Sequence, residues 1–378
     1  MKVELDFIGQ EPLPAAAVKR VEELMASGKL FRYGEAGGDQ ADAAMLEAEF
    51  AELVGRTYCV AFNSCGASLA AALISAGVER DDAVMMNAFT LAPVPGSITH
   101  AGARPVFVDI TDDYHIDLDD LRRQHEATGS EWLLLSYMRG HIPNLDDVFA
   151  VCDALSISVI EDCAHTMGAS WDGRPTGTLG IAGCFSTQTF KHANSGEGGL
   201  LVTDDEDLAA KATLLSGSYM LYGQHGARPS DDVFERHRLT TPNFSMRMSA
   251  LAAALVRPQL DMLEDRAAIW NARYVQLADR LGALDGVRIP VRDEREQFVA
   301  SSIQFNIPEH ADIAGFIERC AALGVPLKWF GAEDPLGFTS RFDHWRYATE
   351  QSVPRATQVL STMLDMRCLL YTSDAADE

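Results

Sequence analysis

The chain has 378 residues, enough for two domains, and its 47% apolar share is ordinary for a globular protein. Its 55 acidic residues against 31 basic ones give a formal charge of -24, which argues against nucleic acid as the main partner, because phosphate binding needs clustered Lys and Arg. No run is apolar and long enough to span a membrane, and the N-terminus MKVELDFIGQ lacks the apolar core of a signal peptide, so a cytoplasmic location is expected.

In chain order, Thr57–Phe62 (TYCVAF) reads as a strand, Ser64–Ala76 as a helix rich in Ala and Leu, and Ala83–Met86 as a short strand. A helix near Pro95–Ala101 follows, then the strand Pro105–Ile110 (PVFVDI). Trp132–Ser136 (WLLLS), Ser158–Cys163 (SVIEDC), Cys184–Thr187 and Leu200–Thr203 repeat the theme. Continuously apolar strands separated by helices predict an α/β fold with a mainly parallel sheet covered on both faces. From about Leu260 the pattern changes: Leu263–Leu281 is one long amphipathic helix, Ser302–Ile307 a strand and Ile313–Leu323 a helix. This divides the chain into a large domain, residues 1–258 with the N-terminal segment, and a smaller α+β domain, residues 259–378. The end, RCLLYTSDAADE, continues no pattern and resembles translated adapter sequence, so about ten residues are expected to be foreign and a C-terminal helix to be missing.

The seven cysteines form no CxxC pair and no metal-ligand spacing, which reads as small buried residues in a reducing compartment. Lysines are scarce: Lys2, Lys19, Lys29, Lys191, Lys211 and Lys328. Lys191 lies in FSTQTFKHANSGEGG, just past a strand's carboxyl end, where open α/β sheets place their ligands. The commonest fate of such a lysine is a solvated loop; the chemical alternative is a Schiff base with a cofactor carbonyl. Asp162 ends the strand SVIEDC and projects at the same rim, whereas Glu161 points to the other face. An aspartate there serves as a helix cap, a metal ligand or a partner for a protonated ring nitrogen, and no ligand cluster surrounds it. An Asp and a Lys on neighbouring strand ends fit a pyridoxal 5′-phosphate (PLP) site. The strand-to-helix turn Asn63–Ser68 (NSCGAS) suits the phosphate, because first-turn amides and the helix dipole bind anions; Ser186 adds a hydroxyl. Strand-to-helix turns carry Ser and Gly for capping as well.

Asn63–Gly77, Asn87–Pro93 (NAFTLAP), Ala103–Ile110, Ile160–Ala169 (IEDCAHTMGA), Gly183–Thr203 and Phe244–Leu255 (FSMRMSALAAAL) occur in order. Together they resemble the DegT/StrS-type sugar aminotransferases, PLP enzymes with the aspartate aminotransferase fold, over about residue 10 to about residue 360. The resemblance implies that Lys191 forms the Schiff base and shuttles a proton, that Asp162 pairs with the pyridine nitrogen, and that Ala164 packs on one ring face. It further implies that His165 contacts the ring hydroxyl, that Ser186, Cys65 and Gly66 hold the phosphate, and that the enzyme is a homodimer in which Ser245 reaches the partner's site. Leu91 stands where an aromatic residue usually stacks on the ring, Ser245 where Asn is usual, and Cys65–Gly66 completes a turn that is commonly Ser-Gly-Thr. On the substrate side, Arg139 and Arg247 are candidate anion forks, each equally explained by a structural ion pair, and Lys328–Gly331 (KWFG), with Lys328 and Trp329, is a second choice.

The expected reaction is a ping-pong transfer from glutamate or glutamine to a keto sugar or related ketone. Two rivals are a PLP-dependent sugar dehydratase, whose relatives carry His where Lys191 stands, and a non-enzymatic regulatory protein on the same fold. The sequence assigns His192 no role.

Overall fold

The computed structural model describes residues 9–33, 41–309 and 311–367, so the terminal stretch after Arg367 lies outside the described residues. The strands are β1 (Tyr58–Phe62), β2 (Ala83–Asn87), β3 (Arg104–Val108), β4 (Trp132–Ser136), β5 (Ser158–Asp162), β6 (Ser170–Trp171), β7 (Arg174–Pro175), β8 (Ala182–Ser186), β9 (Gly199–Thr203), β10 (Glu296–Gln297), β11 (Ile303–Asn306), β12 (Lys328–Trp329) and β13 (Met363–Met366). A seven-stranded sheet runs in the order β1-β9-β8-β5-β4-β2-β3. Pairing is parallel from β3 through β2, β4 and β5 to β8, and antiparallel where β9 meets β8 and β1. The α/β class expected from the sequence is therefore present. The strand that follows the Lys191 loop is the one that reverses direction.

Alternate strand residues feed two apolar layers. Cys59, Ala61 and Val159 join the layer containing the helices Asp42–Val54 and Ala250–Leu260. Val60, Phe62 and Ile160 join the layer containing the helix Cys65–Ala76. Period-two alternation with both faces apolar is why these strands read as unbroken hydrophobic runs. The helix placed near Pro95 starts at Pro93, because a proline suits the first helical turn, where no intrahelical acceptor awaits its amide.

The same alternation sends Glu161 to the face opposite Asp162. Buried Glu161 accepts hydrogen bonds from Tyr137 Oη (2.6 Å), Gly177 N (2.8 Å), Leu179 N (2.8 Å) and Gly180 N (2.7 Å). One carboxylate thus satisfies the turn that delivers the chain into β8 and so fixes where Ser186 emerges.

The C-terminal segment forms a second sheet, ordered β11-β13-β12, reached through the helix Leu263–Gly282. It shares core with the first sheet: Val359, Leu360 and Met363 pack in the layer that holds the helix Cys65–Ala76. The Asp109 carboxylate, just after β3, accepts from Arg355 N (2.8 Å) and Ala356 N (2.6 Å) and so caps the helix Pro354–Ser361.

Glu161→Gln places an amide NH2 against amide or hydroxyl donors whichever way it is turned. Leaving two buried donors unpaired lowers stability by about 2–4 kcal/mol. Urea unfolding monitored by circular dichroism is expected to show a lower midpoint at unchanged slope.

Candidate active site

The carboxyl ends of three neighbouring strands meet one cavity of about 240 Å³. In the parallel register Ser136 of β4 stands opposite Asp162 of β5, and Asp162 opposite Cys184 of β8, two residues before Ser186. Ser136 Oγ donates to Asp162 Oδ2 (2.6 Å), and Thr90 Oγ1 donates to Ser136 Oγ (2.8 Å). Ala164 N donates to Asp162 Oδ1 (3.1 Å). Burial raises the Asp162 pKa, and the two donors and the nearby Lys191 charge oppose that rise.

Lys191 sits at the cavity wall in a tightly closed loop. Backbone bonds join Thr187 N to Gly198 O and Thr189 N to Gly196 O, both 3.0 Å, and Gly196 takes φ +80°. Gln259 clamps the loop from the helix Ala250–Leu260: its Oε1 accepts from Asn194 N (3.0 Å) and its Nε2 donates to Asn194 O (2.8 Å). Burial first, then the positive charges of Arg367 and Arg139, pull the Lys191 pKa down to about 7, with Asp162 pulling the other way. Lys191 Nζ and His165 Nε2 share a hydrogen bond of 2.7 Å. Burial and the Lys191 charge hold the His165 pKa well below its ordinary value, so the imidazole is neutral.

On the opposite wall is the start of the helix Cys65–Ala76. Ser64 Oγ caps Ala67 N (3.1 Å), and Cys65 and Gly66 line the cavity in the first turn, whose amides have no intrahelical acceptor. Gly199, the first residue of β9, passes beneath this turn: a Cβ there would lie 2.5 Å from Cys65 N and from the Ser64 carbonyl. The glycines after Lys191 thus serve a tight turn and a close backbone approach, and lie beside the helix turn without forming it. Burial raises the Cys65 pKa well above its ordinary value and keeps it a thiol.

Of the residues singled out from sequence, Lys191, Asp162, Ala164, His165, Ser186, Cys65, Gly66, Leu91 and Arg139 all line this cavity. Four do not. Arg247 Nη1 donates to Gly217 O (2.8 Å), and the guanidinium lies over Phe31 and Tyr219. Ser245 is exposed, takes φ +55°, and donates through N and Oγ to Asn243 Oδ1 (3.0 and 3.2 Å). Trp329 Nε1 donates to Ser361 O (2.8 Å), anchoring β12 to the end of the helix Pro354–Ser361. Lys328 stands one layer back, its Nζ 5.4 Å from the ring centre of Phe338, which does line the cavity. Burial lowers its pKa to about 8.

Sequence reading missed Thr90, Ser136, Gln188, Phe190, Glu197, Phe338, Ser340 and Arg367. Ser136 carried a signal, since it ends the strand beside Asp162's own; Thr90, three residues past the end of β2, and the Phe338–Arg367 wall from the C-terminal segment had none. His192 is buried against Trp270, ring centres 5.4 Å apart, and lies outside the cavity lining. Burial lowers its pKa to about 3, so it packs as a neutral aromatic ring.

The chain matches the DegT/DnrJ/EryC1/StrS aminotransferase family over residues 14–376. It is 33% identical over 265 residues to the spore coat polysaccharide biosynthesis protein SpsC of Bacillus subtilis, covering 69% of this chain and 64% of that protein. It is 30% identical over 267 residues to the L-glutamine:scyllo-inosose aminotransferase of Streptomyces griseus, covering 70% and 61%. The matched segment thus spans somewhat less than two thirds of each of these relatives. The solved structure of the aminotransferase TlmJ from Streptoalloteichus hindustanus shares the fold, with a TM-score of 0.81, 22% identity, and coverage of 99% of this chain and 95% of that one. The aligned strand ends, the lysine loop and the helix turn around one cavity are those of a chain that belongs to the DegT/DnrJ/EryC1/StrS aminotransferase family.

Proposed function

We propose that this chain is a PLP-dependent aminotransferase that moves an amino group from glutamate or glutamine to a keto sugar, a cyclitol ketone or a related acceptor. One observation carries the reading: Lys191 and Asp162 face a single cavity from neighbouring strand ends, with the lysine depressed to a pKa near neutrality. The residues fit PLP by their chemistry. A buried carboxylate suits a protonated ring nitrogen, a primary amine suits an aldehyde, and an open helix N-terminus with the Ser186 hydroxyl suits a phosphate. Leu91 and Ala164 supply apolar surface for the two ring faces.

When bound, PLP acts as an electron sink for the carbanion formed at the amino acid Cα. Each protein group then has a task. Lys191 Nζ, neutral above about pH 7, would hold the cofactor through its aldehyde and would serve as the general base and acid that carries the substrate Cα proton. Asp162 keeps a proton on the ring nitrogen, and the Thr90–Ser136 chain holds that carboxylate in place. His165 Nε2, hydrogen-bonded to Nζ, orients the amine and would be the residue to meet the ring hydroxyl. The Streptomyces relative, named for glutamine as donor and a cyclitol ketone as acceptor, supports these substrate classes.

The proposal includes a homodimer with Ser245 facing the partner's cavity. Phe31, Tyr219, Met220 and Phe244 expose 54%, 58%, 56% and 42% of their surfaces around Ser245 and Arg247, an apolar area that association would bury. The division into a large domain to residue 258 and a smaller one beyond it belongs to the same proposal, with the second sheet closing over the substrate.

Lys191→Ala is expected to abolish the visible absorbance that appears on adding PLP, and to lower turnover by several orders of magnitude. A visible spectrum identical to that of the wild type would refute the lysine's role. The Lys191 pKa makes a second demand. The amine is protonated below about 7 and neutral above it, so the rate of PLP incorporation should rise between pH 6 and 8 with a midpoint near 7 and then level off. A stopped-flow series still climbing beyond pH 9 would contradict the depressed value. Sedimentation equilibrium is expected to give twice the chain mass.

A further inference from the structure

In a transamination the reacting carbon must sit beside Lys191, whose amine carries its proton. The wall next to that amine is aromatic. Phe190 immediately precedes Lys191, and Phe338 reaches it from the C-terminal segment, with ring centres 6.2 Å apart and planes at 70°. Both line the cavity. A cation stands by each ring: Arg367 Cζ lies 4.8 Å from the centre of Phe190, and Lys328 Nζ 5.4 Å from that of Phe338. Such contacts hold the rings in place.

The loop over residues 331–340 fixes Phe338 at the cavity edge. Gly337 turns with φ +61°, and buried Thr339 closes the tip, its Oγ1 accepting from Leu336 N (2.8 Å) and donating to Leu336 O (2.9 Å). At the base, Arg341 Nη1 donates to Phe330 O (3.3 Å), His344 Nε2 pairs with Glu333 O (2.9 Å), and Trp345 Nε1 donates to Ser340 Oγ (3.2 Å). The anchored loop leaves Phe338 51% exposed. One exposed phenylalanine on a plain surface needs no explanation. This one lies on a cavity wall against the lysine loop, where a substrate gains by covering it.

Charge narrows what that substrate is. Arg139 pairs with Asp365 (2.8 Å) and Arg341 with Asp343 (2.7 and 3.0 Å), while Arg367 and Lys328 stand by the two rings. The exposed groups at this edge are acidic: Glu197 on the lysine loop, and Glu333 and Asp334 on the loop of Phe338. A diphosphate brought here meets like charge. A ring ketone with hydroxyls around its edge meets none, and its C–H face suits a phenyl ring. Gln188 and Ser340 offer polar groups to the hydroxyls from the same wall.

We propose that Phe338 is the specificity-determining residue for the acceptor, its ring packing on the face of a cyclic polyhydroxy ketone that carries no phosphate. The proposal rests on the aminotransferase reading for the identity of the reaction.

The test uses the PLP-loaded protein and scyllo-inositol, a ring with no carbonyl to react, observed by saturation-transfer NMR. Irradiating the aromatic resonances is expected to saturate the inositol C–H protons in wild type and in Phe338→Tyr, and to do so at least about twofold less in Phe338→Leu, which keeps apolar bulk without the ring. Absence of transfer in wild type overturns the proposal, and so does equal transfer in wild type and Phe338→Leu. In the acceptor half-reaction, Phe338→Ala is expected to raise the half-saturation for scyllo-inosose by about 10- to 100-fold, with Phe338→Tyr restoring it. An unchanged half-saturation in Phe338→Ala refutes the assignment. Uridine diphosphate is expected not to compete with scyllo-inosose; competition below the half-saturating concentration of scyllo-inosose would replace the unphosphorylated acceptor by a nucleotide-linked one. The visible spectrum reports Lys191 separately. A wild type that gives no PLP absorbance, or no pyridoxamine form with glutamine, would sink the aminotransferase reading and leave the NMR contact to be judged alone.

Discussion

Two adjacent carboxylates on one strand organise this molecule. Glu161 and Asp162 leave β5 on opposite faces, and both are buried. Glu161 spends all its acceptor capacity on its own chain, gathering Tyr137 and three turn amides so that β8 enters the sheet in register. Asp162 receives only a serine hydroxyl and one amide, and burial raises its pKa. The contrast is chemical. A carboxylate saturated with donors is structural, whereas one held in place but short of countercharge favours a cation brought to it.

Desolvation does the complementary work at Lys191. Burial, with two arginines on the same cavity wall, moves the amine to a pKa near 7, where it exchanges its proton readily at neutral pH. Burial makes the lysine lose proton affinity and the aspartate gain it, against the mutual attraction of their two charges. That divergence is the usual electrostatic sign of paired chemical roles.

Much of this was legible in the sequence because it depends on local rules. Strand alternation separated Glu161 from Asp162, apolar runs marked β1 through β5, and the Ser64–Gly66 turn announced an open helix start. The residues that escaped notice are joined by packing across long sequence separations. Phe338, Ser340 and Arg367 reach the cavity only because the C-terminal segment folds back over the first sheet, and no local pattern encodes that return. KWFG read as a binding stretch for the converse reason. Its aromatic and basic composition is real, but Trp329 is committed to a carbonyl of its own segment and Lys328 stands behind Phe338. Composition reveals which side chains are able to bind, and topology decides which of them face the cavity.

The close passage of Gly199 beneath the Ser64–Cys65 backbone has a mechanical meaning. The loop that carries Lys191 and the helix turn on the opposite wall are in contact through main chain, with no side chain between them to yield. The span between the amine and this helix turn is therefore a built-in gauge, insensitive to changes in the residues that line the cavity. Such a gauge lets the lining diversify while the distance between the amine and the helix turn stays constant.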